Sequence, residues 1–221
     1  MNRSEAVSGV HFVTDPTLTR RHGLLPTVDA AVRAGVSVVQ LRDKHATARE
    51  LLSTAIAVAD VVRGRCLLLL DDRADIVLAA RQADVTVDGV HLGQDDLPVR
   101  AARRMLGPDA VIGLTANTRE HLTELATLPE SIVNYLGVGV IRPTSTKADH
   151  PEPLGIDGFG ALAARTELPC IAIGGVGRDD VDDVARVGGA GVAVVSTICT
   201  ADDPEQTARD LVACWAAGVT A

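Results

Sequence analysis

The chain has 221 residues, is 47% hydrophobic and carries a formal net charge of −8. That length suits one sizeable domain, and a 2% aromatic content leaves Val, Leu, Ile and Ala to build its core. An acidic chain with no Lys/Arg block and few rings for base stacking excludes a nucleic-acid-binding face.

Residues 1–9 read as a short polar extension without the apolar stretch of a leader. No segment approaches the roughly 18 uninterrupted apolar residues of a membrane span. The expectation is a cytoplasmic protein with no membrane partner; the sequence is silent on oligomeric state. Cys66, Cys170, Cys199 and Cys214 form no CxxC pair, so they read as reduced, mostly buried thiols and not as a zinc site or disulfide framework.

Residues 10–14 form the first β-rich run, followed by a weak helical pattern over 28–34 and a second run at 36–41. Residues 47–62 hold the clearest helix. Its Leu51, Leu52, Ile56 and Ala59 share one face, Thr47-Ala48-Arg49-Glu50 reads as a capping box, and Gly64 lies just past the end. A run at 66–70 precedes a weak helix at 74–80, and a run at 89–92 precedes a helix that starts at Pro98 and stops before Gly107-Pro108. Residues 111–114 precede a helix over 118–125, with Asn117 as its candidate N-cap. Residues 132–138 are followed by the longest irregular stretch, 143–160, which reads as a mobile active-site loop. Runs at 170–173 and 191–195 enclose a helix at 179–187, and a last helix spans 204–217.

These eight apolar runs are continuous more than alternating, as parallel strands buried on both faces require. Eight such units alternating with helical patterns predict one (β/α)8 barrel over residues 1–221. A doubly wound open sheet is the structural alternative, and the eighth run with its late Gly-Gly favours closure.

Each run ends where polar chemistry begins, which is the layout of a barrel whose site lies at the C-terminal strand ends. Gly174-Gly175-Val176 after the seventh run and Val195-Ser196 after the eighth read as a phosphate cradle, since glycine lets backbone N–H groups approach phosphate oxygens. Asp72 and Asp96 end neighbouring strands about 4.8 Å apart, so they can share one ion. Oxygen ligands without a nearby His/Cys cluster favour Mg²⁺; the competing reading is a helix cap at Asp72 and a polar turn at Asp95-Asp96. Arg42 and Lys44 after the second run, and Lys147 after the sixth, are candidate phosphate cations, with Thr144, Ser145 and Thr146 offering hydroxyls. His91 reads as core or lining, and no GxSxG or activated Cys signals covalent catalysis. The parts together suggest loss of a diphosphate leaving group, aided by metal and cations.

At this point the sequence resembles the thiamine-phosphate synthase (thiamine-phosphate pyrophosphorylase) family over nearly its whole length. Gln40-Leu41-Arg42-Asp43-Lys44 is similar to the QLRxK motif, Asp88 through Asp96 to DGVHLGQxD, Thr144-Ser145-Thr146-Lys147 to TxTK, and Ile173-Gly174-Gly175-Val176 to IGGI. The resemblance implies a (β/α)8 transferase of thiamine biosynthesis. Its substrates would be 4-amino-2-methyl-5-hydroxymethylpyrimidine diphosphate and 4-methyl-5-(2-phosphoethyl)thiazole, its products thiamine phosphate and pyrophosphate. Pyrophosphate would leave the pyrimidine methylene first, and the thiazole nitrogen would capture the stabilised cation.

The same resemblance implies roles. Gln40, Arg42 and Lys44, within the segment that also contains Leu41 and Asp43, would bind the pyrimidine diphosphate, with Lys147 on its phosphates. Asp72 and Asp96 would hold Mg²⁺. Thr115 stands where the family has a pyrophosphate-contacting Ser and keeps the hydroxyl. Thr144, Ser145, Thr146, Gly175, Val195 and Ser196 would bind the thiazole phosphate. Two departures stand out. Asp71-Asp72 replaces Asn-Asp, which makes Asp71 an acceptor toward the metal or the pyrimidine amino group. Gly139-Val140-Ile141-Arg142 replaces Gly-Pro followed by an aromatic, adding an unassigned cation. The related alternatives are a thiazole-phosphate tautomerase and a non-catalytic thiamine-phosphate-binding barrel; the first would have no use for the diphosphate cations and carboxylates kept here.

Overall fold

The computed structural model describes residues 6–144 and 152–220. Eight parallel strands close into a barrel in sequence order: β1 (Gly9–Val13), β2 (Val38–Leu41), β3 (Leu67–Asp71), β4 (Gly89–Leu92), β5 (Val111–Thr115), β6 (Tyr135–Gly139), β7 (Cys170–Ile173) and β8 (Gly191–Val194). β8 pairs back onto β1 with Gly9 opposite Gly191 and Phe12 opposite Val194. The open-sheet alternative is thereby ruled out.

The outer layer consists of α1 (Leu24–Ala34), α2 (Ala48–Val62), α3 (Ala74–Gln82), α4 (Val99–Leu106), α5 (Arg119–Leu125), α6 (Gly155–Ala163), α7 (Val181–Arg186), α8 (Ser196–Cys199) and α9 (Pro204–Thr220). Thr47 and Glu50 form the expected capping box on α2. At α5 the cap is Thr118, whose hydroxyl accepts from the His121 N–H at 3.2 Å, one residue beyond the expected Asn117. The end of the supposed 143–160 loop is helix α6, anchored by fully buried Phe159. Among the described residues no helix is long and apolar enough to cross a membrane.

Two apolar clusters follow from the two faces of each strand. Phe12, Val39, Leu41, Leu70, Val90, Leu92, Ile112, Leu136 and Val138 belong to the outer cluster between strands and helices. Val13, Val38, Leu69, Val111, Tyr135, Ile171 and Ala193 fill the barrel interior, with Val7 buried beneath them. The N-terminal extension is therefore shorter than expected: Gly9 is already in β1, and Val7 is fully buried.

His11 also sits inside the barrel, 1% exposed, with Nε2 hydrogen-bonded at 2.6 Å to the Val7 carbonyl. Burial pushes its pKa down to about 4 against that hydrogen bond, and His91 nearby lowers it further. The unfolded chain binds this proton near pH 6.5 and the folded one only near 4. His11 therefore leaves stability intact above about pH 6.5 and erodes it as pH falls toward 4, by about 3 kcal/mol in total. Urea midpoints measured from pH 7 to 4 should fall over that window, and His11→Gln should flatten the fall.

Candidate active site

Side chains two positions apart on a strand share a face. Continuing each inward stripe to the C-terminal strand end lands on Gln40 in β2, Asp71 in β3, His91 in β4, Thr115 in β5, Gly139 in β6 and Ile173 in β7. All of these line one cavity, with Arg42, Lys44, Asp72, Asp96, Asn117, Thr144, Gly174, Gly175, Val195 and Ser196 at its mouth. The barrel's period-two alternation thus delivers the polar clusters to a single place.

The β2–β4 side carries the charge. Asp71 is the hub: its carboxylate accepts from Gln40 Nε2 at 2.7 Å and lies 3.5 Å from Arg42 Nε and 3.3 Å from Lys44 Nζ. Lys44 also contacts Asp72. Burial works against the Lys44 charge, but the hydrogen bond to Asp72 and the charge of Asp71 outweigh it and raise its pKa. Asp72 adopts a left-handed φ of +61°, which Asp tolerates better than most residues. Its N–H donates to the His91 carbonyl at 2.8 Å. It does not cap α3, whose N-cap is Arg73 without a side-chain cap bond.

Asp96 accepts from the Gly93 N–H at 2.8 Å, which closes the turn after β4 and faces the carboxylate toward Asp72. Burial raises the Asp96 pKa, and adjacent Asp72 raises it further. Two carboxylates held this close are stabilised by a cation between them. Among the described residues there is no cluster of three or more His, Cys, Asp or Glu fit for a metal. The pair therefore suits an ion that takes one or two carboxylates and fills its shell with water and phosphate oxygens, the habit of Mg²⁺.

The β6–β8 side carries glycine and hydroxyls. Gly174 and Gly175 have φ of +89° and +67°. A Cβ on Gly175 would lie 2.8 Å from the Arg142 carbonyl and 2.9 Å from that of Pro143, so this turn packs directly on the loop leaving β6. Arg142 reaches out of that loop to Asp180, with Nε and Nη2 at 2.8 and 2.5 Å from Oδ1, while Asp180 Oδ2 accepts from the Gly177 N–H at 3.0 Å. The cation left unassigned by sequence clips the β6 and β7 loops together and does not line the cavity. Ser196 opens the short helix α8 at the same rim.

Not every expected residue arrives. Leu41 points outward into the strand–helix cluster, because it alternates with Gln40. Asp43 turns away and accepts from the N–H groups of His45 and Ala46 at 2.9 and 3.1 Å. Neither lines the cavity. Ser145, Thr146 and Lys147 lie outside the described residues. The cavity also includes Asn117, whose Oδ1 accepts from the Gly139 N–H at 3.0 Å. In the sequence Asn117 stands out as a helix-cap candidate, yet its position two residues beyond Thr115 is the signal that marks it as cavity lining.

A family model described as thiamine monophosphate synthase matches residues 10–198. The chain belongs to the thiamine monophosphate synthase family. A thiamine-phosphate synthase of Psychrobacter sp. is 41% identical over 212 residues, covering 96% of this chain and 97% of its own. That of Xanthobacter autotrophicus is 46% identical over 205 residues, covering 92% and 93%. The solved thiamine phosphate pyrophosphorylase of Pyrococcus furiosus superposes with a TM-score of 0.84 at 26% identity, covering 98% of this chain and 99% of its own. As a thiamine monophosphate synthase family member, the chain is a transferase of thiamine biosynthesis. Each motif that carries the sequence resemblance sends residues into the cavity: Gln40, Arg42 and Lys44 from the first, His91, Gly93 and Asp96 from the second, Thr144 from the third and Ile173 through Val176 from the fourth.

Proposed function

We propose that the protein joins 4-amino-2-methyl-5-hydroxymethylpyrimidine diphosphate to 4-methyl-5-(2-phosphoethyl)thiazole, giving thiamine phosphate and pyrophosphate. The observation that carries this reading is the division of one cavity into two anion-handling sides. Cations and paired carboxylates lie on β2–β4, and glycine N–H groups and hydroxyls on β6–β8. A single-phosphate ligand has no use for both.

Arg42 and Lys44 bind the diphosphate, with Lys147 on its phosphates, and take up the negative charge that builds as it leaves. Thr115 adds a hydroxyl at the end of β5. Asp72 and Asp96 would hold Mg²⁺, which supplies further charge neutralisation on the pyrophosphate oxygens. Gln40 and Asp71 contact the pyrimidine, where an acceptor suits its amino group. Thr144, Ser145, Thr146, Gly175, Val195 and Ser196 seat the thiazole phosphate. The methylene C–O bond breaks with its electron pair going to pyrophosphate, and the thiazole nitrogen lone pair then forms the C–N bond. No protein nucleophile is needed. The cysteines fit this account: burial pushes the Cys66, Cys170 and Cys199 thiols up to about 11, 12 and 11, away from reactive thiolate.

Purified protein given both substrates with Mg²⁺ should release thiamine phosphate and pyrophosphate in equal amounts, and chelation should stop both. Absence of coupling would overturn the synthase reading. Equal rates with and without chelator would overturn the Mg²⁺ role alone.

A further inference from the structure

A polar chain runs under the cavity floor, inside the barrel. Tyr135 in β6 is 1% exposed, and its hydroxyl lies 2.9 Å from His91 Nδ1 in β4. The other ring nitrogen of His91, Nε2, lies 3.1 Å from the Thr115 hydroxyl oxygen in β5. The chain thus joins three neighbouring strands and ends on a cavity-lining hydroxyl.

Space for it is cut into the barrel wall. A Cβ on Gly113 would fall 2.2 Å from the Tyr135 ring and 2.4 Å from His91 Nδ1. A Cβ on Gly137 would fall 2.9 Å from the His91 ring. Both positions are inward ones, where a branched aliphatic would otherwise fill the barrel.

The proton positions follow from satisfaction of donors. Burial holds the Tyr135 phenol far toward its protonated form, so it keeps an O–H. Among the described residues, the only acceptor within hydrogen-bond reach of that O–H is His91 Nδ1. Had Nδ1 carried a proton, the buried O–H would lack an acceptor, and leaving a buried donor unsatisfied is costly. Tyr135 therefore donates to Nδ1, and the neutral imidazole carries its proton on Nε2. That N–H donates to Thr115 Oγ1, so the Thr115 hydroxyl must turn its own proton elsewhere.

We propose that Tyr135 and His91 are positioning residues that fix the polarity of Thr115, so that its hydroxyl always presents a donor to the departing pyrophosphate. This rests on the synthase reading for the identity of the anion, but the tautomer does not. A hydroxyl free to rotate would spend part of its time offering lone pairs to a leaving anion. The relay removes that choice before substrate binds, which is electrostatic preorganisation exerted from beneath the site.

The test is a double-mutant cycle on kcat for coupling, with Tyr135→Phe and Thr115→Val. Tyr135→Phe alone should lower kcat by about 10–100-fold, the scale of losing an outer partner of a reacting group. It should leave the KM for thiazole phosphate unchanged. In the Thr115→Val background, Tyr135→Phe should cost nothing further, because the group it acts through is gone. An equal loss in both backgrounds would mean a merely structural role and overturn the proposal. Nitrogen NMR of histidine-labelled wild-type protein tests the tautomer without any substitution at Tyr135, the His91 signals being assigned by their loss in His91→Gln. A protonated Nε2 with a bare Nδ1 supports the relay, and a protonated Nδ1 sinks it. If wild type makes no product, the synthase reading fails while this spectrum still decides the relay.

Discussion

Asp96→Ala should cut kcat by about 10²-fold or more, the scale of losing one electrostatic contact to developing charge, and leave thiazole phosphate affinity nearly unchanged. The asymmetry follows from where Asp96 sits. Its carboxylate faces Asp72 across the ends of β4 and β3, on the charged side of the cavity. The glycine turn after β7 and Ser196 after β8 belong to the opposite side. Removing Asp96 also frees the Gly93 N–H it accepts from, so Asp96→Asn is the needed companion. Asn keeps an acceptor for that turn but loses the charge. Both variants should show the kcat loss, together with a higher Mg²⁺ requirement. Steady-state kinetics with each substrate varied in turn would decide it. Equal losses in kcat and in thiazole phosphate affinity would contradict the division of the cavity.

Gly175→Val should produce the converse. The KM for thiazole phosphate should rise by about 10–100-fold or more while the KM for the pyrimidine diphosphate holds. Gly175 has φ of +67°, where a residue with a Cβ costs roughly 1–3 kcal/mol, equivalent to that range in affinity. The Cβ alone would also press on the Arg142 and Pro143 carbonyls at 2.8 and 2.9 Å. Neither carbonyl can give way like a side-chain tip, so the turn itself must shift and carry its N–H groups off target. Asp180→Asn probes the same region from behind: it weakens the Arg142 clip without adding bulk, and should raise the same KM by a smaller factor.

The barrel was legible in the sequence because its strands are continuous apolar runs closed by polar clusters, and that signal survives without knowing any contact. The inward and outward faces were harder to read. In a parallel strand both faces are apolar, so Leu41 looked as much a part of its motif as Gln40, and only the register separates them. Helix α6 was hidden by Gly155, Gly158 and Gly160, which read as loop when considered locally. It forms because Phe159 and Leu162 bury against the barrel, packing that propensity does not see. The relay under the floor was hidden for another reason. Its residues lie on three successive strands with a helix between each, beyond the reach of any local pattern, and the glycines that admit it look like ordinary strand weakeners until Tyr135 and His91 are placed beside them.

The closure of β1 onto β8 also has a bearing on how the chain is made. Gly9 leaves the ribosome long before its partner Gly191. Until β8 emerges, β1 shows a bare row of N–H and C=O groups to any passing strand. The nascent barrel is then an open sheet exposed to mispairing, and pairing of such high sequence separation is slow. Chaperone dependence during synthesis should end abruptly when β8 becomes available, because one ladder of hydrogen bonds removes both edges together.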